Sequence, residues 1–182
     1  PQYKPPADPA TADCTPAIQR ALDDASAAGG GTVFIPESQY RLDGMLTIES
    51  NVVLRGRWSL IGPDRPAEGT ILMIHNQEHE QSVLLTGSGC GVRDLTFWHP
   101  EQQVTESAES ASKSPLVIRG QAGTVTIENI TLINPYRGID LSQASACCLR
   151  GIYGSPLHCG LSADRSFAVS RYDSIHFSPD YW

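Results

Sequence analysis

The sequence predicts an all-β chain: a parallel β-solenoid with one short helix near its N-terminal end. Three observations predict this. One amphipathic helix is marked at both ends, the apolar period then changes to two, and a phrase ending in proline recurs at solenoid spacing.

The helix is TPAIQRALDDASAAGGG. Thr15 is a natural N-cap and Pro16 suits the first helical position. Ile18, Leu22 and Ala25 recur on one face, and Gly29 to Gly31 end the helix. Ahead of it, PQYKPPADPATA (residues 1–12) reads as an extended, proline-rich lead-in. The capping helix with its glycine stop takes residues 13–31, and the rungs take residues 32–182.

After the helix, TVFIP, YRL, MLTIES and NVVLRG alternate with period two and are punctuated by Gly, Pro, Ser and Asn. The polar stretch Gln103 to Ser114 reads as an excursion loop. The repeat then emerges when VRDLTFWHP, IENITLINP, LRGIYGSP and YDSIHFSP are aligned on Pro100, Pro135, Pro156 and Pro179. The intervals are 35, 21 and 23 residues, and subtracting the excursion loop from the first leaves a period of roughly 22. Leu95 and Phe97, Ile130 and Leu132, and Ile175 and Phe177 take alternate places, while the third copy, with Ile152 and Gly154, is one residue shorter. A second phrase lies between the copies: SVLLTG, PLVIRG, GIDLSQ and GLSADR. Three short strands and three turns per rung fit one solenoid coil.

Stacked rungs put like positions in columns. Asp94, Asn129, Gly151 and Ser174 form a column of turn-formers. Arg93, Glu128, Arg150 and Asp173 form an outward column of alternating sign, as a ladder of ion pairs requires. The sequon at Asn129 lies within a rung, which disfavours glycosylation.

These residues carry a resemblance. DCTPAIQRALDDASAAGGGTVFIPESQYRLDGMLTIESNVVLRG, Asp13 to Gly56, resembles the opening of the pectate-lyase-like superfamily, and repeats of the IENITLIN type extend the likeness through Trp182. The resemblance implies a right-handed parallel β-helix of the kind found in polysaccharide lyases, glycoside hydrolases and phage tailspikes, with the helix covering the first rung. The NTD, DD, GHG and RIK pattern of polygalacturonases is absent, so no catalytic residue is carried across.

In enzymes of this fold the substrate groove runs along one outward sheet face and its flanking loops. Candidate catalytic residues are therefore Asp140, Asp164, His158, Arg137 and Asp180, and candidate substrate-binding residues are Tyr136, Ser162, Tyr181 and Trp182. Asp140 points outward if Ile139 and Leu141 point inward, and Ser162 does so between Leu161 and Ala163. Asp140 and Asp164 lie about one rung apart, a separation open to either stereochemical outcome of glycoside hydrolysis. A lyase would use Arg137 or His158 as base beside a stabilising cation. The structural alternative is an Asp that forms a turn. Trp98, Tyr136, Tyr153, Tyr181 and Trp182 offer faces for sugar rings, or pack under loops. His75 and His79 read as a solvated loop, with no helix to make them a metal pair.

The chain has 182 residues and a formal charge of −7, enough for one domain with a sizeable core. Thirteen Lys and Arg without a basic stripe argue against a nucleic-acid partner. No apolar run reaches the ~20 residues of a membrane span. The five cysteines, Cys14, Cys90, Cys147, Cys148 and Cys159, lack metal-knuckle spacing and read as buried small hydrophobes, with a bridge from Cys147 or Cys148 to Cys159 open.

The function expected is cleavage of a polysaccharide by a glycoside hydrolase or polysaccharide lyase. A glycan-binding tailspike or adhesin module, or a structural fragment, is the alternative. No metal site or cofactor is expected, although calcium is compatible. The partner is a polysaccharide or oligosaccharide, with no nucleic acid and no membrane, in a secreted or periplasmic setting. The final IHFSPDYW reads as a rung begun and left incomplete. It raises the expectation of continuation beyond residue 182 or in a second chain, or of a homo-trimer if tailspike-like.

Overall fold

In the computed structural model of the chain, residues 7–60, 68–76, 78–102, 116–121, 123–164 and 168–179 are described. The excursion loop expected over Gln103 to Ser114 lies outside them, as do Pro1 to Pro6 of the lead-in.

Among the described residues one helix, α1 (Thr15–Ala27), precedes thirteen strands. It starts one residue earlier than its capping signal suggests. Cys14 occupies the N-cap, its thiol turned back to the Pro9 and Ala12 carbonyls rather than capping the helix, and Thr15 is already helical. The reason is Asp13, whose Oδ1 accepts both the Thr15 N–H at 2.9 Å and the Thr15 hydroxyl at 2.6 Å. Burial alone would raise the Asp13 pKa, but the bonds from Thr15 and the Asp43 N–H, with the charge of Arg41, together hold the carboxyl below its ordinary value. At the other end Gly30 N–H reaches back to the Ala25 carbonyl at 2.9 Å. Gly29 holds φ 93°, the left-handed stop that a glycine adopts without strain. Ile18 and Leu22 are buried, and α1 packs against β1, β3 and β4.

The strands are β1 (Gly31–Phe34), β2 (Ser38–Leu42), β3 (Leu46–Ile48), β4 (Val52–Arg55), β5 (Thr70–Ile74), β6 (Gln81–Leu85), β7 (Cys90–Trp98), β8 (Leu116–Gly120), β9 (Thr124–Ile133), β10 (Arg137–Asp140), β11 (Ala146–Gly154), β12 (Cys159–Ser162) and β13 (Arg171–Phe177). Every strand-to-strand pairing is parallel. The first phrase of the repeat forms one sheet, in the order β1, β4, β7, β9, β11, β13, with β2 and β5 paired beside it. The second phrase forms the other sheet, in the order β3, β6, β8, β10, β12. From Glu128 to Arg150 and from Arg150 to Asp173 the register advances one strand, about 22 residues per circuit.

Register falls where the columns require it. Arg93 pairs with Glu128, Glu128 with Arg150, and Arg150 with Asp173. Asp94, Asn129, Gly151 and Ser174 hold φ of 58°, 51°, 66° and 56°, so each long strand bends at the same place. Leu132, Gly154 and Phe177 remain aligned, which puts the shortening of the third copy beyond the strand, at the corner after Gly154. Between the sheets lies one core that includes Leu54, Leu85, Phe97, Ile118, Ile130, Leu132 and Ile152, all fully buried. All five cysteines are free thiols, so neither Cys147 nor Cys148 is bridged to Cys159. Burial raises the Cys90 and Cys147 pKa values.

Candidate functional site

The second sheet presents the face on which the candidate residues fall. Along β10 and β12, Arg137 is in register with Cys159, Ile139 with Leu161, and Asp140 with Ser162. Ile139 and Leu141 are buried in the core while Asp140 remains half-exposed, the alternation expected of the strand. The corner before β10 and the corner before β12 meet side by side. There the rings of Tyr136 and His158 stack with centroids 4.9 Å apart and planes 9° from parallel. The backbone fixes that stack, since His158 N–H donates to the Tyr136 carbonyl at 3.0 Å. Arg137 follows directly and is exposed. Tyr136, Arg137 and His158 therefore form one cluster at the N-terminal end of this face.

Asp140 and Ser162 lie at the other end. Asp140 Oδ1 accepts from the Ser142 N–H at 3.0 Å and from its hydroxyl at 2.6 Å, the bonding of an Asp that shapes a turn. Asp164 is exposed and lies two residues past Ser162, the register partner of Asp140. The two carboxylates are thus offset along the strands as well as across them. Asp180, Tyr181 and Trp182 lie outside the described residues.

Sequence reasoning missed Arg119. It is in register with Asp140 on one side and with Leu84 on the other. Its Nε is buried without a hydrogen-bond partner among the described residues. The signal was present, because aligning PLVIRG with GIDLSQ puts Arg119 and Asp140 in one column.

His99 was also missed. It lies at the corner after β7, nearly completely buried, and neither ring nitrogen has a hydrogen-bond partner among the described residues. Burial, reinforced by nearby His75, lowers its pKa from 6.5 to about 4. The Ile133 carbonyl pulls the other way but does not reach hydrogen-bond geometry with the ring. His75 itself pairs through Nδ1 with Glu101 Oε1 at 2.8 Å. His79 donates its backbone N–H to Asn76 Oδ1. Among the described residues no three His, Cys, Asp or Glu side chains converge as metal ligands would.

Two solved structures share this architecture. The A-module of the mannuronan C-5 epimerase AlgE4 from Azotobacter vinelandii matches 81% of the chain at a TM-score of 0.52 and 18% identity, over 48% of that module. A candidate glycosyl hydrolase from Parabacteroides merdae matches 92% of the chain at a TM-score of 0.61 and 17% identity, over 88% of its own length. What they share with this chain is the fold. The resemblance to pectate-lyase-like β-helices is thereby borne out.

Sequence relatives point the same way. Mannuronan C5-epimerase AlgE3 of A. vinelandii is 53% identical over 51 residues, which are 24% of this chain and 3% of that protein. Alginate lyase 7 of the same organism is 49% identical over 51 residues, 6% of its length. AlgE4 is 33% identical over 94 residues, 44% of this chain and 16% of AlgE4. The chain thus spans a small fraction of the curated relatives it matches. No family model matches it.

Proposed function

We propose that the chain is a carbohydrate-active enzyme module, a right-handed parallel β-solenoid capped by α1, that acts on a uronate polysaccharide along the outer face of β8, β10 and β12. The observation that carries this reading is the pair of relatives. One chain matches both a mannuronan C5-epimerase and an alginate lyase at about half identity. Epimerisation at C5 of a uronate and elimination across its C4–C5 bond share a first step, removal of the C5 proton.

The Tyr136, Arg137 and His158 cluster suits that step. His158 takes the C5 proton, and the C–H electron pair moves into the adjoining carboxylate, whose added charge the Arg137 guanidinium neutralises. Tyr136, stacked on His158, is the proton donor. Water returns a proton to the opposite face of C5 to give the epimer, because Tyr136, stacked on His158, lies on the base's side and serves the departing oxygen. Rupture of the C4–O bond, with the departing oxygen protonated, gives an unsaturated chain end. Asp140 and Ser162 line the same face and offer hydroxyl contacts to the neighbouring sugar units. Polymers of this size are met outside the cytoplasm, which suits a secreted or periplasmic location. Among the described residues no helix is long and apolar enough to cross a membrane.

The test is to incubate the chain with polymannuronate and follow C5 configuration by proton NMR, unsaturated ends by ultraviolet absorbance, and new reducing ends. Inversion at C5 or unsaturated ends are the expected results. Reducing ends without unsaturation would replace this chemistry with hydrolysis. Polymer binding without any of the three would overturn the enzyme reading in favour of a glycan-binding module.

A further inference from the structure

Arg119 stands on the outer row of the working face without a partner there. Its neighbours Ile118 and Gly120 are buried, and a Cβ at Gly120 would meet Leu141 and Ala144 of the core, so Arg119 points outward. The row runs Leu84, Arg119, Asp140, Ser162 across β6, β8, β10 and β12. Opposite charges at neighbouring positions of a sheet ordinarily pair, and Arg119 has Asp140 beside it. The Asp140 carboxylate is instead engaged by Ser142, through both its N–H and its hydroxyl. Among the described residues Arg119 makes no hydrogen bond and no ion pair.

That isolation sets Arg119 apart from the other described arginines. Arg41, Arg55, Arg57 and Arg93 each pair with a carboxylate. Arg20, Arg137, Arg150 and Arg171 are exposed and keep their water. Arg119 is half-buried, with Nε shut off from solvent and the fork of its two terminal nitrogens left open. A guanidinium whose base sits in a dry wall has already lost part of its hydration. An incoming anion therefore gains more there than at an exposed ion pair. The planar fork also matches two carboxylate oxygens at once.

The charge of the whole chain makes such a contact necessary for a uronate polymer. At −7 overall the chain repels a polyanion, so cations on the face itself must hold it. Among the described residues of this face those arginines are Arg119 and Arg137. Asp140 lies three residues beyond Arg137, and Arg119 lies one strand over from Asp140. The two guanidinium-bearing positions are thus separated by roughly 10 Å along the strands and 5 Å across them. One sugar ring does not carry a single carboxylate to both. Arg137 meets the carboxylate of the reacting unit, which leaves Arg119 for that of another unit in the same polymer.

We propose that Arg119 is a positioning residue that takes the carboxylate of a second uronate, away from the reacting one. The face thereby selects runs of uronate over isolated uronates set in a neutral polymer. This rests on the uronate reading of the working face, and adds to it a subsite and a specificity that proton removal does not itself require.

The experiment combines calorimetric titration of the full chain with polymannuronate, titration with its carboxyl-reduced counterpart, and steady-state kinetics on polymannuronate. Arg119→Ala should weaken polymannuronate binding and raise KM, each by roughly ten-fold, with kcat nearly unchanged. The carboxyl-reduced polymer should bind the native and Arg119→Ala chains alike. Arg119→Lys keeps the charge but not the fork, and should recover part of the loss. Arg150→Ala removes an exposed charge from the other sheet and should leave binding and kinetics as they are. Thermal melting verifies that each variant is folded, and Arg119→Gln replaces Arg119→Ala if the latter is not. Native KM in Arg119→Ala, a loss confined to kcat, or equal weakening of the reduced polymer would overturn the role of Arg119 and leave the proposed reaction standing. Failure of the native chain to bind or turn over polymannuronate would overturn the uronate reading, and this proposal with it.

Discussion

Asn129 donates its side-chain amide to Asp94 in the preceding circuit, 2.8 Å away, and both residues hold left-handed backbone. Asp94 also accepts from Arg55 Nε at 2.8 Å, so three successive circuits are joined at one bend. Asn and Asp tolerate this conformation better than most residues, and a side chain ending at Cβ does not. Asn129→Ala should therefore lose the bond and gain strain, costing about 1–3 kcal/mol in denaturant unfolding. Asn129→Gly loses the bond but not the conformation, and should cost about half as much. Equal losses in the two variants would mean that strain contributes nothing there.

His99 predicts how the fold responds to acid. Its pKa lies at about 4 in the folded chain, against 6.5 ordinarily. Above the ordinary value it is neutral in folded and unfolded chains alike, and its contribution is fully present. As pH falls through the window between these values, the unfolded chain takes up a proton that the folded chain excludes. Stability then drops, by about 3 kcal/mol across the whole window. The charged or titratable neighbours are His75 and its partner Glu101. Unfolding measured near pH 7 and near pH 4.5 should show this slope in the native chain and a much flatter one in His99→Leu. An unchanged slope in that variant would assign the acid sensitivity to other groups.

The sequence disclosed most of what repetition controls and little of what a single contact controls. The bends at Asp94, Asn129, Gly151 and Ser174 were legible because each circuit must turn at the same place, and the same residue types recur there. The face of β10 and β12 was legible through the alternation of Ile139, Asp140 and Leu141. The adjacency of Tyr136 and His158 followed from the period, whereas their ring stacking depends on two corners whose shapes the period does not specify. Trp58 was illegible for the same reason, since its partners Thr131 and Tyr153 lie on two later circuits and no repeat announces them. The helix start slipped by one residue because the Asp13 carboxylate, held by the Asp43 N–H, takes the Thr15 N–H and hydroxyl and leaves Cys14 at the N-cap.

The Trp58 contact can be measured as a coupling. Thr131→Val keeps the β-branched shape but removes the acceptor of the indole N–H, at a cost of about 1 kcal/mol. Trp58→Phe removes the donor and should cost more, because it also trims the stack on Tyr153. The double variant should cost about 1 kcal/mol less than the sum of the two singles. Additive losses in a double-mutant cycle would show that the bond contributes nothing to stability.

Asp140 and Arg137 separate turn-building from chemistry on the proposed working face. The Asp140 carboxylate accepts two bonds from Ser142 through one oxygen, a role that an amide oxygen fills equally well. Asp140→Asn should therefore leave stability within about 0.5 kcal/mol of the native value. It should also reduce turnover on polymannuronate by less than roughly ten-fold, since the proposed chemistry lies at the other end of the strand. Arg137→Ala removes the charge that meets the substrate carboxylate when the C5 proton leaves. Its turnover should fall by about 10²–10³-fold with stability unchanged, the size seen when one electrostatic donor is lost from an active site. Kinetics of the two variants on polymannuronate decide the assignment. A large loss in Asp140→Asn with native activity in Arg137→Ala would move the chemistry to the carboxylate and away from the Tyr136, Arg137 and His158 cluster.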